Sequence, residues 1–397
     1  MMTNSSPGQS KAWARLLLFA LGLVAMAFSQ SVQGAQSYIY VETDIGDPAN
    51  MNSIAAYSND GSGNLVALPG SPYLTGGTGI NAAAGAEALD ADQQVIANPA
   101  GTALYAVNGH SNDISVFTIK GDGTLSAVRG SPFPSGGQQP ASLALSGSLL
   151  IVANKDQDPN QSSSGPANYA TFPVKANGGL SKRPGAIFPL AEGSHPAQVL
   201  MASIANTFFG MVEFESSYIS TFAFDPRGTT MTETSTIPSP SSGALFLGEI
   251  LHPTQQILYA GIVNRKQVGV YTYDANGVLT FVRTVSNPGS AVCWLCTNAA
   301  GTRLFTSESL TSTLSVYDIS RPLKPTLLQH LPLLNYDGVE YNLALDLTES
   351  FLYAIAGTQL HVLNVDASGL LSETAAPVHL PGVTSAFQPV GLAVVRK

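Results

Sequence analysis

Apolar and polar residues alternate in short segments along this chain, and the same pair of segments recurs seven times. The clearest copies are ALYAVNGHSNDISVFTIKGDGTL (103–125), ILYAGIVNRKQVGVYTYDANGVL (257–279) and FLYAIAGTQLHVLNVDASGLL (351–371). Weaker copies occupy 38–65, 150–180, 209–229 and 304–320. A period of two places successive side chains on opposite faces of a strand. The Gly-containing turns that follow suit tight hairpins, so each copy is predicted to be an antiparallel meander.

The spacing of the copies predicts a closed ring. Their first strands centre on positions 46 to 65 residues apart, which is the repeat length of four-stranded propeller blades. Further apolar runs precede several copies, at 140–148, 196–206, 291–302 and 341–350, and we interpret them as innermost strands. The run 389–395 has no such copy after it, and the first copy has no inner strand before it. The prediction is an all-β, seven-bladed propeller of four-stranded antiparallel blades, whose closing blade is shared by the N- and C-terminal segments.

The N-terminal segment has the features of an export signal. Lys11 and Arg15 precede an apolar run at 16–28, and small residues follow near Gly34 and Ala35. This order is typical of a secretory signal peptide, and the run is shorter than the ~20 residues of a membrane-spanning helix. We therefore predict a signal peptide at 1–34, a propeller at 35–397, no stable membrane span after cleavage, and a secreted or periplasmic location. An uncleaved anchor is the alternative.

Composition narrows the range of partners. Charged residues make up 11% of the chain, the formal net charge is -9, and no stripe of basic residues occurs. These features argue against binding to nucleic acid or to an anionic membrane surface. The six histidines show no paired metal-ligand spacing, so we predict no metal and no cofactor. We expect a monomer.

The two cysteines lie three residues apart in a predicted inner strand. Residues at this spacing on a regular strand point to opposite faces, so Cys293 and Cys296 are expected to be buried small side chains without a disulfide. A local disulfide would need a turn at Trp294. Another segment, NKDQDPNQ at 154–161, spaces oxygen donors as calcium loops do, but it contains Lys155 and lacks the glycine and distal glutamate of that pattern.

One face of the predicted ring carries most of the polar loop residues. The loop before each inner strand and the loop after each LYA-type strand open on this face, where a propeller can present several loops to one point. The predicted ligand-binding residues are Glu42, His110, Asn154, His195, Glu213, Arg265 and Glu308. For each of them the alternative is a solvated loop side chain. The catalytic candidates among them are His195, Glu213 and Arg265.

The repeated strands and turns resemble those of the lactonase-like seven-bladed propellers, the family of bacterial 6-phosphogluconolactonases, and those of the broader YVTN propellers. The resemblance rests on PASLALS, ISVF and DGTL, and it extends over the predicted mature chain. It implies a channel-mouth site surrounded by His, Arg and Glu, in which a cationic side chain holds a phosphate or carboxylate and stabilises the oxyanion formed when water attacks a lactone. HPAQV (195–199) is similar to a family segment with His195 in place and Ala197 at the position of a second His. Where the family has Pro-Arg-His, this chain has 244–246, Ala-Leu-Phe, and a later Arg corresponds to Ser307 or Glu308.

These differences remove the cations of an anion-binding site, so the sequence does not predict hydrolysis of a phosphorylated sugar lactone. The leading hypothesis is an exported propeller that binds a small molecule or a protein at the polar face of its channel. The alternative is a hydrolase of a neutral lactone, in which His195 or Glu213 activates water and Arg265 polarises the carbonyl. A third possibility is a surface protein that presents loops such as 157–168. A hydrolase requires its base and oxyanion donor to face a common point.

Overall fold

The computed structural model describes residues 37–81, 89–162, 165–213 and 216–396, and in these residues the strands form seven antiparallel sheets. The predicted signal peptide at 1–34 lies outside the described residues. Each sheet is one blade, so the predicted seven-bladed propeller is confirmed. The described part of the chain contains no helix that is both long and apolar enough to cross a membrane.

The first three blades comprise the following strands. Blade 1 contains β1 (Ser37–Glu42), β2 (Ser53–Asn59), β3 (Leu65–Ala67), β4 (Tyr73–Leu74) and, from the other end of the chain, β31 (Leu392–Arg396). Blade 2 contains β5 (Val95–Ala97), β6 (Ala103–Asn108), β7 (Asp113–Ile119), β8 (Leu125–Ala127) and β9 (Phe133–Pro134). Blade 3 contains β10 (Pro140–Ser146), β11 (Leu149–Asn154), β12 (Asn168–Pro173) and β13 (Ile187–Pro189).

The remaining four blades follow in chain order. Blade 4 contains β14 (Pro196–Met201), β15 (Thr207–Val212), β16 (Tyr218–Phe224) and β17 (Met231–Pro238). Blade 5 contains β18 (Phe246–Leu251), β19 (Ile257–Ile262), β20 (Gln267–Tyr273) and β21 (Leu279–Ser286). Blade 6 contains β22 (Val292–Thr297), β23 (Arg303–Glu308), β24 (Thr313–Asp318) and β25 (Thr326–Pro332), with a 3-10 turn at Ser309–Thr311. Blade 7 contains β26 (Glu340–Leu345), β27 (Phe351–Ala356), β28 (Gln359–Val365), β29 (Leu371–Glu373) and β30 (Val378–His379).

The C-terminal strand closes the ring as predicted. β31 pairs antiparallel with β1, with Ala393 opposite Tyr40, and it is the innermost strand of blade 1. The edge of β1 that would otherwise be open is thereby paired, which protects it from pairing with other molecules.

Apolar side chains are buried between neighbouring blades. One cluster joins blades 1 and 2 through Tyr40 and Leu104, and another joins blades 7 and 1 through Tyr353 and Ile39. The aromatic residue at the centre of the second strand is often a tyrosine because its hydroxyl reaches a neighbouring blade. The Tyr40 hydroxyl donates to the Gly123 carbonyl at 2.8 Å, and a buried hydroxyl requires such a partner.

The start of each inner strand lies beside the end of the second strand of its blade. Pro140 pairs with Asn154 in blade 3, and Pro196 pairs with Val212 in blade 4. The loops before the inner strands and the loops after the second strands therefore open on one face, which we call the upper face. This agrees with the geometry expected from the strand order.

Candidate ligand-binding site

A cavity of about 290 Å³ opens at the centre of the upper face. Its lining residues belong to loops or inner strands of blades 1, 2, 5, 6 and 7, and only the propeller axis is shared by so many blades. The wall is mainly apolar, with Leu247, Val263, Trp294, Leu310, Val339 and Val390 among its residues. The volume lies near the lower end of the range of small-molecule pockets, about 300–1,000 Å³. The mouth of the channel is thus less polar than the sequence led us to expect.

β-Bulges at the start of the inner strands build this wall. The register shifts between Val292 and Leu295 in β22, and between Glu340 and Asn342 in β26. A bulge adds a residue that the partner strand does not match and redirects its side chain. The residues within these two bulges include Trp294 and Tyr341, both of which line the cavity.

The same bulge occurs in blades 3, 4 and 5 with different residues. It contains Ala141 in blade 3, Ala197 in blade 4 and Leu247 in blade 5. Large side chains at the bulge therefore belong to blades 5, 6 and 7, which are neighbours in the ring, whereas blades 3 and 4 carry alanine. The strand pattern of the sequence does not reveal this set, because it predicts regular inner strands without bulges. Aligning the bulged positions of the repeats would have revealed it.

Asp90 is the one charged side chain among the described residues that line the cavity. Burial is the main cause that raises the pKa of Tyr341 to about 12, and the carboxylates of Asp90 and Asp337 contribute to the same increase. Burial raises the pKa of the Cys293 thiol, and Asp90 adds to that effect. The field of Asp90 thus reaches two residues of the wall, and the wall disfavours negative charge.

A segment of blade 2 crosses the axis beside the cavity. Asp92 accepts a hydrogen bond from Gln198 of blade 4 at 3.1 Å and another from Asn342 of blade 7 at 3.0 Å. Burial raises the pKa of Asp92 to about 6. Because blades 4 and 7 are not neighbours, Asp92 ties distant sectors of the ring together across the channel.

Three predicted site residues lie beneath the upper-face loops. Glu42, Asn154 and Glu308 are fully buried. Glu42 accepts a hydrogen bond from Asn52 at 2.6 Å, and Asn154 donates to Asn168 at 3.0 Å. These contacts are internal to the blades and stabilise the loop connections, so the three side chains do not face the axial cavity.

Glu308 has the most hydrogen bonds of these three residues. It accepts from Thr306 at 2.6 Å, from Asn287 at 2.7 Å and from Thr313 at 2.9 Å. Burial nevertheless raises its pKa to about 7, since the hydrogen bonds compensate only part of the cost of burying the charge.

His110 lies on the rim between blades 2 and 3. Its Nδ1 is 2.5 Å from Asp158 Oδ2, and its side chain is 39% exposed. Asp158 belongs to the segment 154–161 that spaces oxygen donors. Its carboxylate faces His110 and accepts from the Asn160 backbone N–H at 2.9 Å, so this part of the segment is used to hold the loop against blade 2.

His195 and Glu213 lie side by side in blade 4. The Glu213 backbone N–H donates to the His195 carbonyl at 3.2 Å. The Glu213 carboxylate forms an ion pair with Lys155 of blade 3, and both side chains are fully buried. Lys155 also donates to the Asp90 backbone carbonyl at 2.6 Å. His195 lines a groove of about 440 Å³ together with Lys155 and residues of both blades.

Arg265 belongs to a different loop and has a different environment. It follows β19 in blade 5, is exposed, and donates to the Ser242 carbonyl at 3.0 Å. It does not line the groove of His195 or the axial cavity. The structure therefore brings together His195, Glu213 and Lys155 and leaves Arg265 apart from them.

Both cysteines are free thiols, Cys293 buried and Cys296 half-buried. Their pKa values are raised by burial, which disfavours the reactive thiolate. Among the residues that the structure describes, no group of three or more His, Cys, Asp or Glu side chains is placed to hold a metal ion.

Comparison with known proteins agrees with this architecture. Residues 205–339 match the family model described as "Lactonase, 7-bladed beta-propeller". A candidate 6-phosphogluconolactonase from Bacteroides fragilis superposes with a TM-score of 0.72 at 16% identity, covering 92% of this chain and 99% of that one. The described residues thus form a seven-bladed β-propeller, and residues 205–339 are similar to the lactonase family of this fold.

Other solved structures share this propeller fold. The periplasmic gluconolactonase of Pseudomonas aeruginosa gives a TM-score of 0.69 at 16% identity, covering 90% of this chain and 99% of that one. A hypothetical selenium-binding protein from Sulfolobus tokodaii gives 0.63 at 12% identity, covering 91% and 93%. The search of curated proteins found no match. At these identities the likeness of the structures concerns the fold, and function has to be argued from the site.

Proposed function

We propose that this propeller binds a small, largely apolar molecule in the axial cavity and does not hydrolyse a phosphorylated sugar lactone. The observation that carries the proposal is the composition of the wall, in which Leu247, Trp294 and Tyr341 project from neighbouring bulges. Burying apolar ligand surface contributes about 25 cal/mol per Å², so such a cavity favours binding without needing a charged anchor.

The absence of cations from the described wall supports the second half of the proposal. Phosphate recognition relies on Arg, Lys or backbone donors directed at the anion. Where the resemblance implies cationic residues, Ala197 and Phe246 are fully buried apolar side chains. The nearby cation, Lys155, is already neutralised by Glu213. A phosphorylated lactone would therefore lose hydration without gaining a matching charge.

We also propose that the protein is exported and acts in the periplasm or outside the cell. The sequence features at 1–34 support this, and the gluconolactonase of similar fold from Pseudomonas aeruginosa is periplasmic. Fractionation of cells that express the full chain, with mass spectrometry of the mature N-terminus, tests this proposal. A full-length cytoplasmic product would overturn it.

Binding can be measured with a probe that does not absorb near 280 nm. In the full chain, Trp13→Phe leaves Trp294 in the cavity wall as the sole tryptophan. We expect 1-adamantanemethanol to shift the Trp294 emission saturably, because the probe excludes water from the ring. Unchanged emission together with no heat of binding in calorimetry would contradict the proposal.

A cavity-filling variant and its matched control locate the bound probe. Val263→Phe at the cavity wall is expected to weaken binding at least tenfold because it occupies ligand volume. Val278→Phe makes the same change at an exposed turn on the opposite face and is expected to leave affinity within about twofold. Equal effects of the two substitutions would place the probe elsewhere.

A hydrolase of a neutral lactone is the second candidate function. It is supported by the groove that holds His195, the candidate general base, beside the Lys155 cation. The Lys155–Glu213 ion pair weighs against it, because it occupies both the second candidate base and the cation. Arg265 is apart from this groove.

The full chain should be assayed against a panel of neutral lactones, with His195→Ala as the variant and Arg265→Ala as the control. Turnover that His195→Ala abolishes and Arg265→Ala retains would favour this second function. No turnover on any lactone would leave binding as the function.

A further inference from the structure

We infer that the axial cavity selects an organic cation, a protonated amine attached to an apolar body, and that Asp90 is the residue that recognises its charge. This inference rests on the proposed function and specifies the ligand class of the same site. It is carried by the position of one carboxylate in a wall that is otherwise uncharged in the described residues.

The apolar wall makes the charge of Asp90 effective. Leu89, next to Asp90 in the chain, and Val390, which lines the same cavity, are only 2% exposed, so little water is available at this wall to screen the carboxylate. Two unit charges at the same separation interact several times more strongly at the effective dielectric of a protein surface than in bulk water. A positively charged ligand group near Asp90 is therefore favoured, and a negatively charged group is disfavoured.

Neighbouring groups act in the same direction. The carboxylate of Asp337 lies close enough to Tyr341 to raise its pKa, as that of Asp90 does. Lys155 contacts the backbone carbonyl of Asp90, but its charge is compensated by Glu213. The formal net charge of the whole chain is -9, which further favours the approach of cations.

Aromatic residues in the wall suit the same ligand. Trp294 and Tyr341 both line the cavity, and an ammonium group within about 6 Å of such a ring is attracted to its face. An apolar body with an ammonium group thus meets three favourable features in one cavity: apolar surface, aromatic rings and a carboxylate. An anion of the same shape meets only one favourable feature, the apolar surface.

Three probes of one shape separate charge from apolar burial. We would titrate 1-adamantylmethylamine, 1-adamantanemethanol and 1-adamantanecarboxylate into the full chain with Trp13→Phe at pH 7. The expected order of affinity is amine, alcohol, carboxylate, with steps of roughly tenfold. Raising the salt concentration should reduce the advantage of the amine.

Asp90→Asn keeps the size of the side chain and removes its charge. In this variant the affinities of amine and alcohol are expected to agree within about twofold. Asp60→Asn, which removes the same charge from an exposed turn on the opposite face, should keep the wild-type order. A preference for the amine that survives Asp90→Asn would overturn the role of Asp90.

The outcomes distinguish this inference from the proposed function. If the alcohol binds and the amine binds no better in the unsubstituted cavity, the inference about charge is wrong while the proposed function stands. If none of the three probes binds, both are wrong. The comparison of probes in the unsubstituted cavity does not depend on whether Asp90→Asn folds.

Discussion

At the scale of single residues, the buried pair of Lys155 and Glu213 decides what the candidate site can do. Both side chains are fully buried, and they connect blades 3 and 4 at equivalent positions, one residue past the second strand. A buried ion pair contributes little net stability compared with apolar residues, but either partner alone is an uncompensated charge. The pair therefore explains why neither residue is available to a substrate.

Lys155→Met is expected to destabilise the protein by about 3–5 kcal/mol because it leaves the Glu213 carboxylate buried without its partner. The double variant Lys155→Met with Glu213→Leu should recover most of that loss. Urea unfolding of the single and double variants measures both values. A single variant as stable as the wild type would show that the pair does not form.

The sequence predicts where along the chain the polar residues of the upper face lie, but it does not predict how deeply each is buried or which residues surround it. The sequence places Glu42, Asn154 and Glu308 correctly at the ends of second strands on the upper face. It does not reveal that Gly137 and Gly289 allow neighbouring loops to close over Asn154 and Glu308, where a Cβ would lie 2.6 Å and 2.3 Å from their side chains. That closeness depends on tertiary packing, which a strand pattern cannot encode.

At the scale of elements, the bulges of the inner strands turn a common blade into a binding wall. In blade 5 the bulge contains Leu247 and Gly248, and Gly248 has φ +76. A Cβ at Gly248 would lie 2.1 Å from the Cys293 carbonyl oxygen of blade 6. Glycine is therefore required here both by the backbone conformation and by the close approach of two blades.

Gly248→Ala is expected to destabilise the protein by at least about 2 kcal/mol, because strain at positive φ adds to a clash with backbone. It should also weaken binding of 1-adamantanemethanol, since Leu247 and Trp294 flank the displaced segment. Gly147→Ala, at φ +57 with no atom within 4 Å of its Cβ, isolates the cost of the conformation at about 1 kcal/mol. Equal losses for both variants would contradict the packing argument.

The repeat pattern predicted the strands of this fold but not their bulges. The second and third strands alternate regularly, so their bounds agree closely with the sequence copies, as in β19 and β20. The inner strands are irregular at their upper ends, where each bulge adds one residue. The added residue does not change the apolar character of the segment, so the sequence pattern does not mark the bulge. The cavity arises there, so an apolar site was missed where polar loops were expected.

At the scale of the whole molecule, buried acidic residues set the response to pH. Burial raises the pKa of Asp92 to about 6 and those of Asp44 and Glu308 to about 7, and it raises those of Glu42, Glu249 and Glu340 well above the ordinary range. These groups keep their protons in the folded state at pH values where the unfolded chain has lost them. Their contribution to stability should therefore be complete below their unfolded pKa values of 3.8 to 4.5 and should be lost as the pH rises through their folded values of about 6 to 7.

The substitution Glu308→Gln isolates the contribution of one buried carboxyl to the pH dependence of stability. Between its unfolded pKa near 4.5 and its folded value of about 7, Glu308 binds a proton only in the folded protein. It should contribute a loss of up to about 1.4 kcal/mol of stability per pH unit across that window. Urea unfolding at pH 5 and pH 7.5 should show a smaller decrease in the variant than in the wild type. An unchanged difference between the two pH values would refute the assignment.

The ring itself follows from the sequence because seven spaced repeats and two complementary chain ends specify it together. β1 is a second strand with no inner strand before it, and β31 is an inner strand with no second strand after it. The two strands come from opposite ends of the chain and pair to complete one blade. The ligand class can be inferred only from the assembled ring, since the cavity wall comes from blades that are far apart in the chain.

The most direct test of ligand binding at the axis is a crystal structure of the full chain with 1-adamantylmethylamine. We predict density for the adamantyl body in contact with Leu247, Trp294 and Tyr341, and the ammonium group within hydrogen-bond distance of the Asp90 carboxylate. Density in the groove beside His195, with the axial cavity containing only water, would contradict the account.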